Sequence, residues 1–408
     1  MQVLILCRRL IRISPGPFHC PNLRFGFPHI NRCRFLTLVL KRQESLPSHS
    51  IYLSLHLSKL SSVTRRNRKT HTNCMEKIPH LLVLCGKTDA EEDCAWSLKE
   101  NKNVKLADGE ELVVLLHTEQ AQKDPHTFNF KSYLDSLSTR HFGRFLIWSP
   151  RLPSTHDLVS QNFFELPLGA VCVAEIQSKG RGLLEYSHSG RAKNVWDSPS
   201  GCLLFSYTLQ MENGHILPLL QYVVSLAIIE AIMMVCGSKG FPYLDVRIKW
   251  PNDLYLNGLK VGGVLCTSTY RSKKFNVSAG VGLNLDNEKP TTCLNAVLRE
   301  LTCSANQLTK EDILATFFQK FEELFEIFLN QGFQALEDLY YKAWLHSGQK
   351  VVIEEKDEES SAKNIVVTIQ GLTSSGYLLA IGEDNKNYEL HPDGNSFDFF
   401  KGLVRKKI

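Results

Sequence analysis

Six short blocks between residues 154 and 284 collect the side-chain types that bind and activate anions. They are Ser154-Thr155-His156, Gln177-Ser178-Lys179-Gly180-Arg181-Gly182, Gly190-Arg191-Ala192-Lys193-Asn194-Val195-Trp196, Lys249-Trp250-Pro251-Asn252-Asp253, Lys260-Val261-Gly262-Gly263 and Gly280-Val281-Gly282-Leu283-Asn284. Glycines at 180, 182 and 190 let backbone N–H groups close on anionic oxygens, and Arg181 and Arg191 add two cations that cannot be neutralised. Trp196 offers a flat face to a ring system. Asp253, following Trp250, can hold Mg²⁺ beside phosphates, and Lys260 stands a short hairpin away with Gly262 and Gly263 allowing a ligand close to the backbone. Each block alone has an ordinary explanation. A glycine-arginine loop can be a solvated turn, Trp196 a core side chain, Trp-Pro-Asn-Asp a strand end and Lys260 a turn lysine. Their order along one region asks for a shared one.

The surrounding pattern supplies elements to position them. Short apolar runs at Ala170–Ile176, Cys202–Leu209, Val246–Trp250, Val261–Thr267 and Val277–Leu283 read as strands. The clearest helix is Thr309–Asn330, capped by Thr309, with Ile313, Phe317, Phe321, Leu324 and Phe328 on one stripe. The apolar stretch Ile216–Cys236 carries Pro218, Gln221, Ser225 and Glu230, so a buried core helix is expected rather than a membrane span. The predicted class is α+β, a mixed sheet packed by helices. Beyond Gln349, strands are expected at Val351–Glu354, Ile365–Gln370, Tyr377–Ala380 and Tyr388–Leu390, forming a small barrel. Expected divisions are a leader at 1–74, an accessory region at 75–150, the chemistry-bearing domain at 151–347 and the barrel at 348–408.

Charge sharpens this. The 408 residues hold 47 Lys/Arg and 42 Asp/Glu, but residues 1–74 take 13 of the bases and only Glu44 of the acids. Residues 75–408 therefore keep 34 bases and 41 acids, a net charge of −7. That balance argues against a nucleic-acid partner. The 12 cysteines show no C-x-x-C spacing, so a zinc ribbon or thioredoxin motif is excluded and a reducing compartment is expected. Residues 1–74 fit two readings. One is a transit peptide for chloroplast or mitochondrion; the other is an upstream stretch before a start at Met75, leaving a cytosolic protein.

At the blocks listed, and over roughly Arg151 to Ile408, the sequence resembles the biotin protein ligases (holocarboxylase synthetases) of plant type. The tail joins in through Gly371-Leu372-Thr373 and Asp393-Gly394-Asn395-Ser396-Phe397. The resemblance implies a class II synthetase-like catalytic domain and an SH3-like barrel. It also implies two steps: biotin and ATP, with Mg²⁺, give biotinyl-adenylate, and a lysine of a carboxylase's biotin carrier domain takes the biotinyl group. By the same resemblance Ser154, Thr155, His156, Gln177, Gly180, Arg181, Gly182 and Lys260 serve biotin. Arg191, Trp196, Asn252, Asp253, Gly263 and Asn284 serve ATP or the adenylate. Arg181, Arg191, Lys260 and Asp253 are the candidate catalytic residues, Asp253 also the candidate Mg²⁺ ligand and, by position, a base for the acceptor amine. No helix-turn-helix precedes the region, so the likeness stops short of ligases that double as repressors. A monomer or weak dimer without a membrane partner is expected.

One departure stands out. The family's loop runs Gly-Arg-Gly-Arg without a break, whereas residues 183–190 separate Gly182 from Arg191. An insertion costs little in folding, because loop-closure entropy grows logarithmically with length, but it displaces a cation. Two functional readings follow: an active ligase, or an impaired variant that only binds biotin or adenylate. Lipoate and octanoate ligases resemble the same fold. The Gly-Arg-Gly loop and Lys-Trp-Pro-Asn-Asp block favour biotin.

Overall fold

The computed structural model describes residues 79–106, 110–120, 128–181, 195–287, 291–302, 307–356, 362–391, 395–398 and 403–406. The first strands are β1 (His80–Gly86), β2 (Leu112–Leu116), β3 (Phe145–Ser149) and β4 (Val171–Ala174). A ribbon follows, β5 (Gln177–Arg181) with β6 (Val195–Ser198), then β7 (Cys202–Met211), β8 (Val246–Lys249), β9 (Asp253–Leu256), β10 (Leu259–Arg271) and β11 (Lys274–Asn284). Helices are α1 (Asp89–Asn101), α2 (Phe130–Ser136), α3 (Thr155–Gln161), α4 (Leu220–Ser238), α5 (Leu294–Thr302), α6 (Lys310–Gln331) and α7 (Glu337–Ala343).

Nine of these strands make one mixed sheet in the order β2-β1-β3-β4-β7-β11-β10-β9-β8. β1 to β3 come from the region expected to be accessory, so the division at residue 150 meets no break in the sheet. The physical reason is that Leu82–Leu84 and Phe145–Trp148 are apolar on successive residues and need cover on both faces. α1 and α3 cover one face there through Ala95, Leu98, Leu158 and Val159. On the other face α2, α4 and α6 pack over the sheet from β1 to β8, leaving the edge strand β2 uncovered there, with Val113 exposed.

β7 and β11 pair in register over ten residues and alternate strictly. Leu203, Phe205, Tyr207 and Leu209 of β7, with Val277, Ala279, Val281 and Leu283 of β11, enter the helix-covered core. Phe205 and Tyr207 meet Phe317, Phe318 and Phe321 of α6 in mostly edge-on contacts at 4.9–5.9 Å between ring centroids. Thr309 caps α6 as expected, accepting from Asp312 N. α4 is apolar on every side and is the one helix among the described residues long and apolar enough to cross a membrane. Of its most apolar window 78% is buried in the protein, as a core helix requires.

The tail adds β12 (Lys350–Lys356), β13 (Ala362–Leu372), β14 (Leu378–Gly382), β15 (Asn387–Leu390), β16 (Asn395–Asp398) and β17 (Leu403–Lys406). They form a separate six-stranded sheet, β15-β14-β13-β12-β17-β16, antiparallel except for β12 with β17. Its outermost strands, β15 and β16, do not pair with each other among the described residues. The tail is tied to the large sheet at Trp250. Trp250 Nε1 donates to Tyr222 Oη (2.9 Å), Tyr222 Oη donates to Gly376 O (2.5 Å), and Trp250 N donates to His346 Nε2 (2.9 Å).

Candidate active site

The second helix layer ends at α3, so the face of β7, β11, β10 and β9 opposite the aromatic core is left open. Most of what points there is small or polar: Ser206 from β7, Gly280, Gly282 and Asn284 from β11, with Leu204 of β7 as the apolar part. A cavity of about 210 Å³ opens on this face. Of the residues expected from the sequence, Ser154, Thr155, His156, Gln177, Gly180, Asn252, Asp253, Lys260, Gly263 and Asn284 all line it. Arg181 and Trp196 place their backbones in the β5–β6 ribbon beside it, where Gly180 pairs with Trp196 and Arg181 with Val195. Gly182, Arg191 and residues 183–190 lie outside the described residues. The expected Gly-Arg-Gly loop is thus in part a strand. Arg181 and Val195 form the last pair of a ribbon whose connection is residues 182–194.

The cavity has a buried polar corner. Gln177 Oε1 accepts from Thr155 N (2.6 Å) and from Thr155 Oγ1 (3.0 Å). The Thr155 hydroxyl has one proton, so at its 2.9 Å contact with Ser206 Oγ it accepts, and the chain of donors runs Ser206 to Thr155 to Gln177. This fixes the Gln177 amide orientation and leaves its NH₂ as the donor side. Ser154 caps α3, accepting from Asp157 N at 3.2 Å. His156 Nε2 lies 2.8 Å from Thr267 Oγ1. Gly280 is required here, because a Cβ would stand 2.9 Å from Ser206 Oγ and 3.3 Å from His156 Nδ1.

The opposite wall carries charge. Lys260 Nζ and Asp253 Oδ1 are 2.6 Å apart, each partly exposed. A register shift between Lys260 and Gly262 interrupts the β9–β10 ladder, the kind of bulge that re-aims a side chain. Asn252 is tied to β10 by Nδ2 donating to Val264 O (2.5 Å) and by Val264 N donating back to Asn252 O (2.9 Å). Asn284 donates to Thr291 Oγ1 and Thr292 O, and Thr291 Oγ1 donates to Lys260 O at 2.7 Å. Both asparagines therefore brace the wall that holds Lys260. Cys202 donates to Asn284 Oδ1, and burial pushes its thiol up to about 11, so it stays neutral.

Sequence reasoning passed over Ser198, Cys202, Ser206 and Thr291 in the lining. Ser206 had a signal, a hydroxyl on the alternate face of an apolar strand; Thr291 sits in a connection without one. The set can take a small molecule with hydrogen-bonding and apolar parts at the Gln177 corner, and an anion at Lys260.

Comparison with known proteins agrees in both domains. Residues 148–284 match the Biotin/lipoate A/B protein ligase family, and residues 346–402 match the Biotin protein ligase C terminal domain. The chain is 61% identical over 330 residues to Biotin–protein ligase 1, chloroplastic, of Arabidopsis thaliana, covering 80% of this chain and 88% of that protein. It is 61% identical over 330 residues to Biotin–protein ligase 2 of the same plant, covering 80% of this chain and 98% of that protein. Among solved structures, a biotin protein ligase from Aquifex aeolicus in complex with biotin and ATP aligns with a TM-score of 0.46 at 24% identity, covering 60% of this chain and 94% of that one.

Proposed function

The chain belongs to the biotin protein ligase family, and from that premise we propose which of its residues carry each part of biotin activation and transfer. The observation that carries the assignment is the cavity itself. It sets a buried hydrogen-bonding corner at Gln177, Thr155 and Ser206 across from the Lys260–Asp253 pair. A cyclic urea has one acceptor and two donors, and the corner offers the Gln177 NH₂ to the acceptor and hydroxyl lone pairs to the donors. Ser154, His156 and Gly180 close the same corner around biotin, the β5–β6 ribbon brings the Arg181 backbone beside it, and Gly182, next in the chain, is assigned to biotin with them.

In the first step a carboxylate oxygen of biotin attacks the α-phosphorus of ATP. The bond from that phosphorus to the bridging oxygen breaks, and pyrophosphate leaves. Two anions must approach, so the work of the protein is to hold positive charge in place before they meet. Lys260, braced through Asp253 and Thr291, does this from the cavity wall; Arg181 and Arg191 do it from the ribbon and its connection. Trp196, Asn252, Gly263 and Asn284 form the nucleotide side. Asp253 is the one carboxylate among the described lining residues, which fits Mg²⁺, an ion that takes one or two carboxylates and fills its shell with water and phosphate oxygens. Bound there, the ion would neutralise phosphate charge.

In the second step the acceptor's lysine amine attacks the acyl carbon, the anhydride C–O bond breaks, AMP leaves and the amine loses a proton. We assign Asp253 to receive it. The acceptors are biotin carrier domains of carboxylases. One relative's name supports a plastid location for a product read from Met1, with a product read from Met75 in the cytosol. A mitochondrial address is the further option.

The test is biotin transfer to a purified carrier domain by protein starting at Met75, with ATP and Mg²⁺, beside a form lacking residues 183–190. Transfer by both supports a working site that tolerates the insert. Failure of both, with biotin unbound, refutes the assignment.

A further inference from the structure

Outside the cavity, one cluster joins three metal-ligating side chains from three elements. Cys85 is next to last in β1, Glu92 lies in the first turns of α1, and His117 follows β2 at once. β1 and β2 are parallel with Leu84 opposite Leu116, so Cys85 and His117 are the next residues along at the carboxyl ends of paired strands. In open α/β sheets that end is where ligands collect. Gly86 lets α1 approach: a Cβ there would stand 2.4 Å from Glu92 N. The Cys85 Sγ, one Glu92 oxygen and one His117 nitrogen all fall within 4.8 Å of one another.

The local electrostatics are incomplete as they stand. Glu92 Oε1 accepts from Gly86 N at 3.0 Å, which orients the carboxylate as an outer support orients a metal ligand. His117 Nδ1 lies 3.4 Å from that same oxygen, is closed to solvent and has no hydrogen-bond partner among the described residues. The nearby Arg144 is turned to Glu91 instead, at 2.7 Å. A dication at the centre would take the imidazole lone pair and neutralise the carboxylate, with the Cys85 sulfur as its third ligand.

We propose that Cys85, Glu92 and His117 form a binding site for one zinc-class divalent ion, which fastens β1, α1 and the turn after β2 at the sheet edge remote from the cavity. Mixed sulfur, nitrogen and oxygen ligands select such an ion over Mg²⁺ or Ca²⁺, which prefer oxygen alone. Three ligands leave a fourth position for water, on the side where Glu92 and His117 are about one-third exposed. Bond lengths of about 2.0–2.3 Å require the ligands to draw together by roughly 1 Å, within reach of the two exposed side chains.

The test is titration of the metal-free full chain with Co²⁺. One equivalent should bind with a thiolate-to-cobalt charge-transfer band. The band should vanish in Cys85→Ser, fall at least ~10-fold in affinity in His117→Gln, and persist in Cys94→Ser. Zn²⁺ should raise the thermal midpoint of the wild type but not of His117→Gln. His117 is partly exposed, so that variant keeps the test valid if Cys85→Ser does not fold. A wild type without the band, or a band undiminished in His117→Gln, overturns the site.

Discussion

The two faces of β7 and β11 follow opposite rules. Toward α6 the strands present Phe205, Tyr207, Val277 and Val281, interlocked with phenylalanines and sealed from water. Toward the cavity the same strands present Ser206, Gly280, Gly282 and Asn284, where small size and hydrogen bonds replace packing. Side chains one residue apart thus serve different ends: one face supplies the free energy of folding, and the other spends packing to leave room. Changes on the first should move stability, and changes on the second should move ligand affinity and rate.

The largest expected effect is on the packed face. Phe321 is fully buried against Phe142, Tyr207, Phe317 and Phe325. Phe321→Ala should cost about 3–5 kcal/mol by denaturant unfolding, through lost transfer and a residual cavity. The fraction that stays folded should still bind biotin. Equal loss of biotin affinity in that fraction would erase the distinction between the faces.

Lys260→Met tests the other side. Removal of one preplaced charge donor should lower the rate of biotin-dependent pyrophosphate release about 10²–10³-fold. Its pair with Asp253 is partly exposed, so the unfolding free energy should change by less than about 1 kcal/mol. A variant that unfolds easily but turns over normally would contradict the placement of Lys260.

His346 belongs to the packed side, behind the Lys249–Asp253 block. Its Nε2 accepts from Trp250 N, so the ring proton sits on Nδ1 and is donated to Gln349 Oε1 at 2.9 Å. Burial pushes the imidazole down from about 6.5 to about 4, partly opposed by Gln349. Between those values the unfolded chain binds a proton that the folded chain refuses. Stability is therefore complete above about pH 6.5 and falls as pH drops toward 4, by roughly 3 kcal/mol in all. His346→Gln should flatten that part of the pH–stability curve. An unchanged curve would show that His346 is not the group responsible.

The smallest expected effect on stability is deletion of residues 183–190. The β5–β6 ribbon ends on the Arg181–Val195 pair, and shortening the connection beyond it should change unfolding by less than about 1 kcal/mol. Turnover should rise, because the deletion restores the Arg181–Arg191 spacing that the charge-holding role requires. Equal turnover by the two forms would remove that role from the insert's surroundings.

These contrasts also explain what could be read from the chain. Thr309 and the stripe from Ile313 to Phe328 mark α6, because a cap and a 3.6-residue period are local signals. Lys260 and Asp253 were legible because a cation and a carboxylate stand close together near glycines, and Gln177 through the resemblance of its block to the family's. Ser206 was less so, since its signal is a period of two inside a strand read as apolar. The place of β1 to β3 in the main sheet was not visible, because pairing between distant strands leaves no local mark; the same holds for Cys85, Glu92 and His117, spread over 33 residues. The Gly180–Arg181 segment reads as a loop by composition, and pairing with Val195 and Trp196 makes it a strand.

The most direct measurement is the biotin dependence of ATP–pyrophosphate exchange in the wild type and in Gly280→Ala, each with its unfolding midpoint. A Cβ at 280 enters the corner between Ser206 and His156. The expected result is exchange in the wild type, and in the variant a KM for biotin at least ~10-fold higher, with a folding loss no greater than about 1–3 kcal/mol. Wild-type KM in a folded Gly280→Ala protein, or no exchange in the wild type, would contradict the assignment of this face as the biotin site.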